Sequence, residues 1–173
     1  MDAPVNSRGF SLIETIIALG VMTVALLGLA ALMTAGMKRI ASAPGDLTAT
    51  QKASEAIESM FSARDTHTLT WAQLRNVAEG GVFLGGPQSL RTPGPDGLID
   101  TADDGAVETV TYPGKDQVLG TADDITVSFV GFTREIQIRD IEANLRSVTV
   151  IIRYPQGSTM RTYSLTSYIS NYA

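Results

Sequence analysis

The sequence predicts an α+β fold in which a long N-terminal helix, transmembrane in its first half, packs on a small antiparallel β-sheet head. Residues 15–37 form a run of twenty-three positions without a charge. An apolar stripe with helical spacing follows in residues 49–61. The C-terminal half contains short runs rich in β-branched and aromatic residues, which are typical of strands. These observations predict one helical shaft and one head.

The uncharged run predicts a membrane-spanning helix. At about 1.5 Å per residue it reaches roughly 34 Å, which exceeds a hydrocarbon core of about 30 Å. Lys38 and Arg39 follow the run, where a secretory signal peptide would have a small-residue cleavage site. We therefore expect a retained helix.

Glu14 lies just inside the apolar stretch. A charge near the centre of a bilayer costs about 2.5 to 3.5 kcal/mol or more, so an intramembrane acid requires a partner. No basic residue lies between Gly9 and Lys38 to provide one. Alternatively, Glu14 remains hydrated at the interface, and periodicity does not choose between the two interpretations.

Residues 8–15 read RGFSLIET, and GFSLIE followed by a long apolar run resembles the leader junction of type IV prepilins and type II secretion pseudopilins. The resemblance implies that a prepilin peptidase cleaves between Gly9 and Phe10 and methylates the new amino terminus. It also implies that Glu14 pairs with the amino terminus of a neighbouring subunit. Such a pair neutralises two groups that are each costly in a dry helix bundle.

The resemblance implies a filament subunit whose partners are the peptidase, other pilin subunits and an inner-membrane assembly platform. Many major pilins in the family it resembles carry a proline midway through the apolar helix and a cysteine pair that closes a C-terminal loop. This chain lacks cysteine and has no proline between Pro4 and Pro44, so the resemblance favours a minor pilin or a pseudopilin over a major pilin. We expect a single-pass inner-membrane protein with a periplasmic head, extracted into a periplasmic or extracellular filament. Basic residues flanking the span favour the opposite orientation, but a cleavage site must face its enzyme.

Composition excludes several other functions. A net charge of −5 disfavours nucleic-acid binding, because phosphate recognition is mostly cationic. The absence of cysteine excludes disulfides and Cys-ligated metals, and His67 is the single histidine. No hydrolase elbow or nucleotide-binding glycine motif occurs, so we expect no enzymatic activity. The rival interpretation is a single-span, membrane-anchored calcium-binding domain that never enters a filament.

The expected segments are a leader at 1–9, a transmembrane and filament-core helix at 10–43, and a head at 44–173. Pro44-Gly45 is expected to break or kink the helix, with Asp46 capping a second segment that ends near Arg64. The stripe that should dock on a sheet consists of Ala49, Ala53, Ala56, Ile57, Met60 and Phe61.

Further elements follow from local patterns. Thr70 and Gln73 have capping-box spacing and predict a short helix to about Ala78. His67 and Trp71 are expected to pack in the head. Strands are predicted at 107–112, 125–130, 133–138, 148–154 and 161–169, and the last two should form a hairpin around the turn at 155–158.

An acidic element occurs twice in the loop 94–124, as GPDGLIDTADD at 94–104 and GKDQVLGTADD at 114–124. Eight acids against Lys115 give residues 96–124 a net charge of −7. Crowded carboxylates with glycines suit Ca²⁺, although the spacing is not that of an EF-hand. Solvated turns are the alternative, at about equal weight. The candidate ligands are Asp96, Asp100, Asp103, Asp104, Asp116, Asp123 and Asp124, and the first copy is better equipped because Gly120 replaces Asp100.

Overall fold

The computed structural model describes residues 11–172, with the backbone alone at residues 41–43. The chain divides into two units between Ala43 and Pro44. Helix α1 spans Leu12–Asp65, and a short 3-10 helix spans Val77–Glu79. The strands are β1 Gln88–Ser89, β2 Thr109–Tyr112, β3 Ile125–Ser128, β4 Thr133–Glu142, β5 Leu145–Gln156 and β6 Thr159–Ser170. The predicted leader lies outside the described residues.

The head contains a four-stranded antiparallel sheet in the order β1-β4-β5-β6 and a two-stranded antiparallel sheet of β2 and β3. The predicted C-terminal hairpin is confirmed, with β5 and β6 paired up to Gln156 and Thr159. Gly157 turns the chain there at a φ of 60°, a conformation that glycine adopts without steric cost. β4 continues past its expected end to Glu142, and the two-residue strand β1 was not predicted. The α+β fold class is confirmed.

The core of the head lies between the C-terminal part of α1 and the four-stranded sheet. The predicted stripe is confirmed, because five of its residues are buried and Phe61 packs against the same core. Its three alanines are fully buried, which lets the helix approach the sheet closely. The sheet supplies alternate residues of β4 and β5, together with one of β6, which are Ile136, Ile138, Val148, Val150, Ile152 and Ile169.

The expected helix break at Pro44 is wrong, because α1 runs through this proline. Asp46 is not an N-cap; its carboxylate accepts hydrogen bonds from the Tyr154 hydroxyl and, at 3.4 Å, from Arg161. A Cβ added to Gly45 would lie 3.1 Å from the Tyr154 ring. We infer that these contacts with β5 and β6 hold the helical backbone beside the proline and offset the hydrogen bond that proline cannot donate.

The expected helix after Thr70 is also wrong, although its capping bonds form. The Thr70 N–H donates to the Gln73 side chain at 3.0 Å, and the chain then turns. Arg146, which is 2% exposed, donates to the carbonyl oxygens of Trp71 and Leu74. A helix that began at Thr70 would use these carbonyls as acceptors for its own N–H groups, and here they accept from Arg146 instead.

Trp71 and His67, the two aromatic residues near this turn, differ in their burial. Trp71 packs against the core, with its ring 4.0 Å from the Arg146 guanidinium and its N–H donating to the Ala143 carbonyl at 3.2 Å. His67 is exposed, with a φ of 59°, so the expectation that it packs is wrong. The helix ends at Asp65, and His67 lies in the turn that follows, before the buried Leu69.

Candidate functional site

Glu14 lies in the first turn of α1. The Ser11 carbonyl accepts backbone hydrogen bonds from Glu14 at 3.0 Å and from Thr15 at 3.2 Å. A carboxylate in the first turn is stabilised by the helix dipole. Gly9 and Phe10 lie outside the described residues, so their roles remain predictions.

The N-terminal part of α1 presents an apolar surface. Every residue from 11 to 40 is exposed, and an 18-residue window has a mean hydropathy of 2.5. By length and composition this helix can cross a membrane. Three threonines donate their hydroxyls to carbonyls of the preceding turn, so these polar groups are satisfied within the helix. The pairs are Thr15 with Leu12, Thr23 with Leu19 and Thr34 with Ala30.

Residues 5–30 match the family model described as the prokaryotic N-terminal methylation motif. The chain carries a type IV prepilin-like signal. The match includes the predicted cleavage site, Glu14 and the first part of the apolar run, so the resemblance drawn from the sequence is confirmed. Searches among curated proteins and among solved structures found no match to this chain.

The prepilin-like signal has general consequences for the chain. It implies processing by a peptidase and assembly with other pilins. Together with the apolar helix, it fits membrane anchoring. The matched segment ends before the head.

The two acidic elements form the same turn. In the first turn, residues 94–104, the N–H groups of Leu98 and Asp100 donate to the carboxylates of Asp96 and Asp104, both at 2.8 Å. The Thr101 hydroxyl donates to Asp103 at 2.7 Å. These bonds hold the loop locally.

The second turn, residues 114–124, repeats each bond twenty positions later. Val118 N–H donates to Asp116 at 2.9 Å, and Gly120 N–H donates to Asp124 at 2.6 Å. The Thr121 hydroxyl donates to Asp123 at 2.7 Å, and this bond is the largest cause that lowers the pKa of Asp123. The shared sequence therefore specifies a shared local structure.

Asp100 distinguishes the first turn, because it forms a buried ion pair with Arg134 on β4. Arg134 donates to both carboxylate oxygens, at 3.1 and 3.0 Å, and both side chains are fully buried. Burial raises the pKa of Asp100, against the opposing effect of Arg134. Asp100 has a φ of 58°, which is uncommon for a residue other than glycine, and the equivalent Gly120 also has a positive φ of 90°, so this conformation belongs to the repeated turn.

A second buried ion pair fixes the chain between the two turns. Lys52 of α1 binds Glu108, and their side chains are 12% and 9% exposed. Lys52 also binds Glu55 at 2.7 Å. Burial lowers the pKa of Lys52, but the hydrogen bonds to the two glutamates outweigh it and raise the pKa above its usual value. Glu108 is therefore held at the base of the β2–β3 sheet.

The carboxylates proposed as calcium ligands are used in other ways. Both oxygens of Asp100 accept from Arg134, and the other acids accept bonds within their own turns. Within residues 11–172, no group of three or more His, Cys, Asp or Glu is arranged to hold a metal ion. Calcium binding by these residues remains a prediction.

Sequence reasoning missed the residues that fix the acidic segment to the head. Arg134 and Lys52 are the cations of the two buried pairs, and Arg134 lies 34 positions from its partner. The available signal was that Arg134 alternates with Ile136 and Ile138 along the predicted strand, which places it on the apolar face. A charge buried on that face requires an opposite charge. That signal predicts a partner but does not say which acid it is.

Proposed function

We propose that this chain is a structural subunit, most consistent with a minor pilin, of a type IV pilus-like filament. The methylation motif at residues 5–30 carries the proposal. Cleavage after Gly9 by prepilin peptidase would leave an ammonium group at Phe10, which the peptidase then methylates. The mature chain would begin close to the first turn of α1.

Assembly would use the exposed helix. Residues 11–40 offer an almost wholly apolar surface, which is stable in a bilayer and equally suited to packing against the same helix of other subunits. Glu14 would pair with the amino terminus of a neighbour, so that both charges leave the membrane neutralised. The head would remain outside the cytoplasm and form the outer part of the filament.

Two other functions fit the same signal or the same anchor. A type II secretion pseudopilin would be processed and assembled in the same way. A single-span, membrane-anchored calcium-binding domain would need neither processing at Gly9 nor a partner for Glu14. The methylation motif favours a minor pilin or a pseudopilin over the anchored calcium-binding domain, because a plain anchor requires no mature amino terminus.

Replacing Glu14 tests the assembly mechanism. Glu14→Ala should leave membrane insertion and cleavage intact, since it removes a costly charge, but should reduce incorporation into filaments. Sheared filament fractions from native cells would be probed for the variant beside wild type. Thr15→Ala is the matched control, because Thr15 is the neighbouring exposed polar residue of the same turn. Equal incorporation of the Glu14 variant and wild type contradicts the proposed pairing.

A further inference from the structure

Within the described residues, no strand covers one long edge of the four-stranded sheet. β6 is the last strand in the order β1-β4-β5-β6, and its twelve residues pair with β5 without a bulge from Ser170 to Thr159. The opposite edge is β1, which has only two residues, and short edge strands protect a sheet from pairing with another chain. β6 lacks this protection, and it also contains neither lysine nor proline.

The pairing register identifies the backbone groups that β6 leaves open. In an antiparallel pair, residues that bond to the partner strand alternate with residues whose N–H and C=O point away from it. Thr159 closes the two-residue turn and therefore bonds to β5. Two contacts at the other end of the strand agree with this alternation. The Asn171 N–H donates inward to the Asn144 carbonyl at 3.0 Å, and the Ser170 carbonyl, on the outward side, accepts from Arg64 at 3.1 Å.

Alternate residues of β6 therefore point their backbone N–H and C=O groups away from the sheet. These residues are Met160, Thr162, Ser164, Thr166 and Tyr168. Their side chains are exposed, and in the part of the chain that the structure describes no hydrogen bond reaches these backbone groups. Arg161 is the only charged residue of β6, and it contacts Asp46 of α1 at 3.4 Å. The edge can thus accept a ladder of backbone hydrogen bonds from another strand.

A groove between α1 and β6 lies beside this edge. It has a volume of about 210 Å³ and is lined by Ser54, Ile57, Glu58, Leu165, Thr166 and Ser167. We call it the edge groove. A strand added to β6 would point every second side chain toward α1. A lysine or arginine there would lay its apolar stem along Ile57 and Leu165 and bring its charge to Glu58, which is exposed and is the only charged residue of the lining.

We propose that β6 is extended by a strand of a different filament subunit, which places a lysine or arginine in the edge groove. This inference rests on the proposed function, which supplies such subunits. The open groups are backbone donors and acceptors at the spacing of a β-ladder, and another extended peptide satisfies them in register. Pairing of β6 with β6 of a second copy would be two-fold symmetric and would close on itself, whereas a filament continues from subunit to subunit.

A proline in β6 tests the backbone contact. Ser164→Pro removes an outward N–H and puts a ring where the added strand would lie, so incorporation of the full-length variant into sheared filaments should fall about tenfold or more. Proline is tolerated on an edge strand when its nitrogen faces solvent, and unchanged Trp71 fluorescence would show that the head is folded. Ser164→Ala is the matched control, because it keeps the N–H, and it should incorporate as wild type. Equal incorporation of the two variants, at any level, would overturn the proposal.

Photo-crosslinking in native cells identifies the occupant and leaves the backbone of β6 intact. A photoreactive phenylalanine derivative replaces Tyr168, which is 61% exposed on the edge, or Tyr112, a 52% exposed tyrosine of β2 that serves as the control. The Tyr168 position should give a product with one different filament subunit, joined through a segment that contains lysine or arginine. A product of this chain alone at twice the subunit mass, adducts to lipid alone, or equal yields from the two positions would contradict the proposed strand pairing.

Reversing the charge in the edge groove tests the chemistry of the partner. Glu58→Lys should lower the yield of the Tyr168 product about tenfold, because like charges would then meet in the groove. Glu142→Lys changes an exposed glutamate of β4 outside the groove and should leave the yield unchanged. Equal yields from the two variants would show that the partner brings no cation to Glu58.

The outcomes separate this inference from the proposed function. If wild type is cleaved after Gly9 and enters filaments, and Ser164→Pro enters them equally well, the strand pairing is wrong and the proposed function stands. If wild type is neither cleaved there nor found in filaments, the proposed function is wrong and the inference fails with it.

Discussion

The first and second turns of the acidic repeat share side-chain hydrogen bonds at equivalent positions but differ in burial. Leu98, Ile99 and Asp100 of the first turn are buried, whereas Val118, Leu119 and Gly120 of the second are exposed. The pattern of threonine and aspartate that the two copies share therefore accompanies the same turn, and it does not determine burial. Burial of the first turn coincides with a partner at one position, where Arg134 binds Asp100 and the second turn has Gly120.

Removing that partner should have the largest effect on stability. Asp100→Ala leaves the Arg134 guanidinium buried without a counter-charge, and we expect a loss of about 3 to 5 kcal/mol in the free energy of unfolding. Denaturant unfolding of the full chain in detergent, followed by the fluorescence of its single tryptophan, measures it.

Gly120→Asp is the matched control, since it gives the second turn the aspartate of the first. It should cost only about 1 to 2 kcal/mol, because Gly120 is exposed and the cost comes from placing a residue other than glycine at its φ of 90°. Equal effects of the two substitutions would show that the ion pair does not distinguish the turns.

Shortening the equivalent apolar residues should have the next largest effect. Ile99→Ala creates a cavity in the core and should cost about 2 to 4 kcal/mol. Leu119→Ala should cost less than about 0.5 kcal/mol, because the side chain is exposed. The same unfolding experiment compares them, and a large loss for Leu119→Ala would mean that the second turn is buried in the isolated subunit.

The smallest expected effect concerns acid titration of the second turn. The Thr121 hydroxyl holds the pKa of Asp123 below its usual value of 3.8. Because the folded pKa is lowered, the stability that Asp123 contributes is present above pH 3.8 and is lost as the pH falls through the folded pKa. NMR titration of the Asp123 carboxyl should show the low pKa, and Thr121→Val should raise it. No change in the variant would exclude this hydrogen bond as its main cause.

The parts of the fold that were predictable depend on residues close in sequence. The stripe from Ala49 to Met60 and the β5–β6 hairpin follow from periodicity and turn residues, which report a face or a strand pair directly. The capping bonds of Thr70 also formed as expected, but no α-helix follows, and the carbonyls of that turn accept from Arg146. Arg146 lies 75 positions from Trp71, and no pattern in the sequence near Trp71 predicts this contact.

In the acidic segment too, the local sequence did not identify a partner that is distant in sequence. The repeat and its turns were visible in the sequence, as was the difference between Asp100 and Gly120. Asp100 was predicted to hold Ca²⁺, and the cation beside it in the structure is the guanidinium of Arg134. A cluster of acids reveals a need for positive charge, whereas the source of that charge depends on tertiary packing.

The central claim is that this chain is processed as a prepilin, and the mass of its mature amino terminus tests it most directly. Protein isolated from native cells should begin at Phe10 and carry one added methyl group. Gly9→Val should accumulate in the membrane as the uncleaved precursor, because a Cβ at this position would obstruct the peptidase active site. A wild-type chain that retains residues 1–9, or that begins anywhere other than Phe10, would contradict the account.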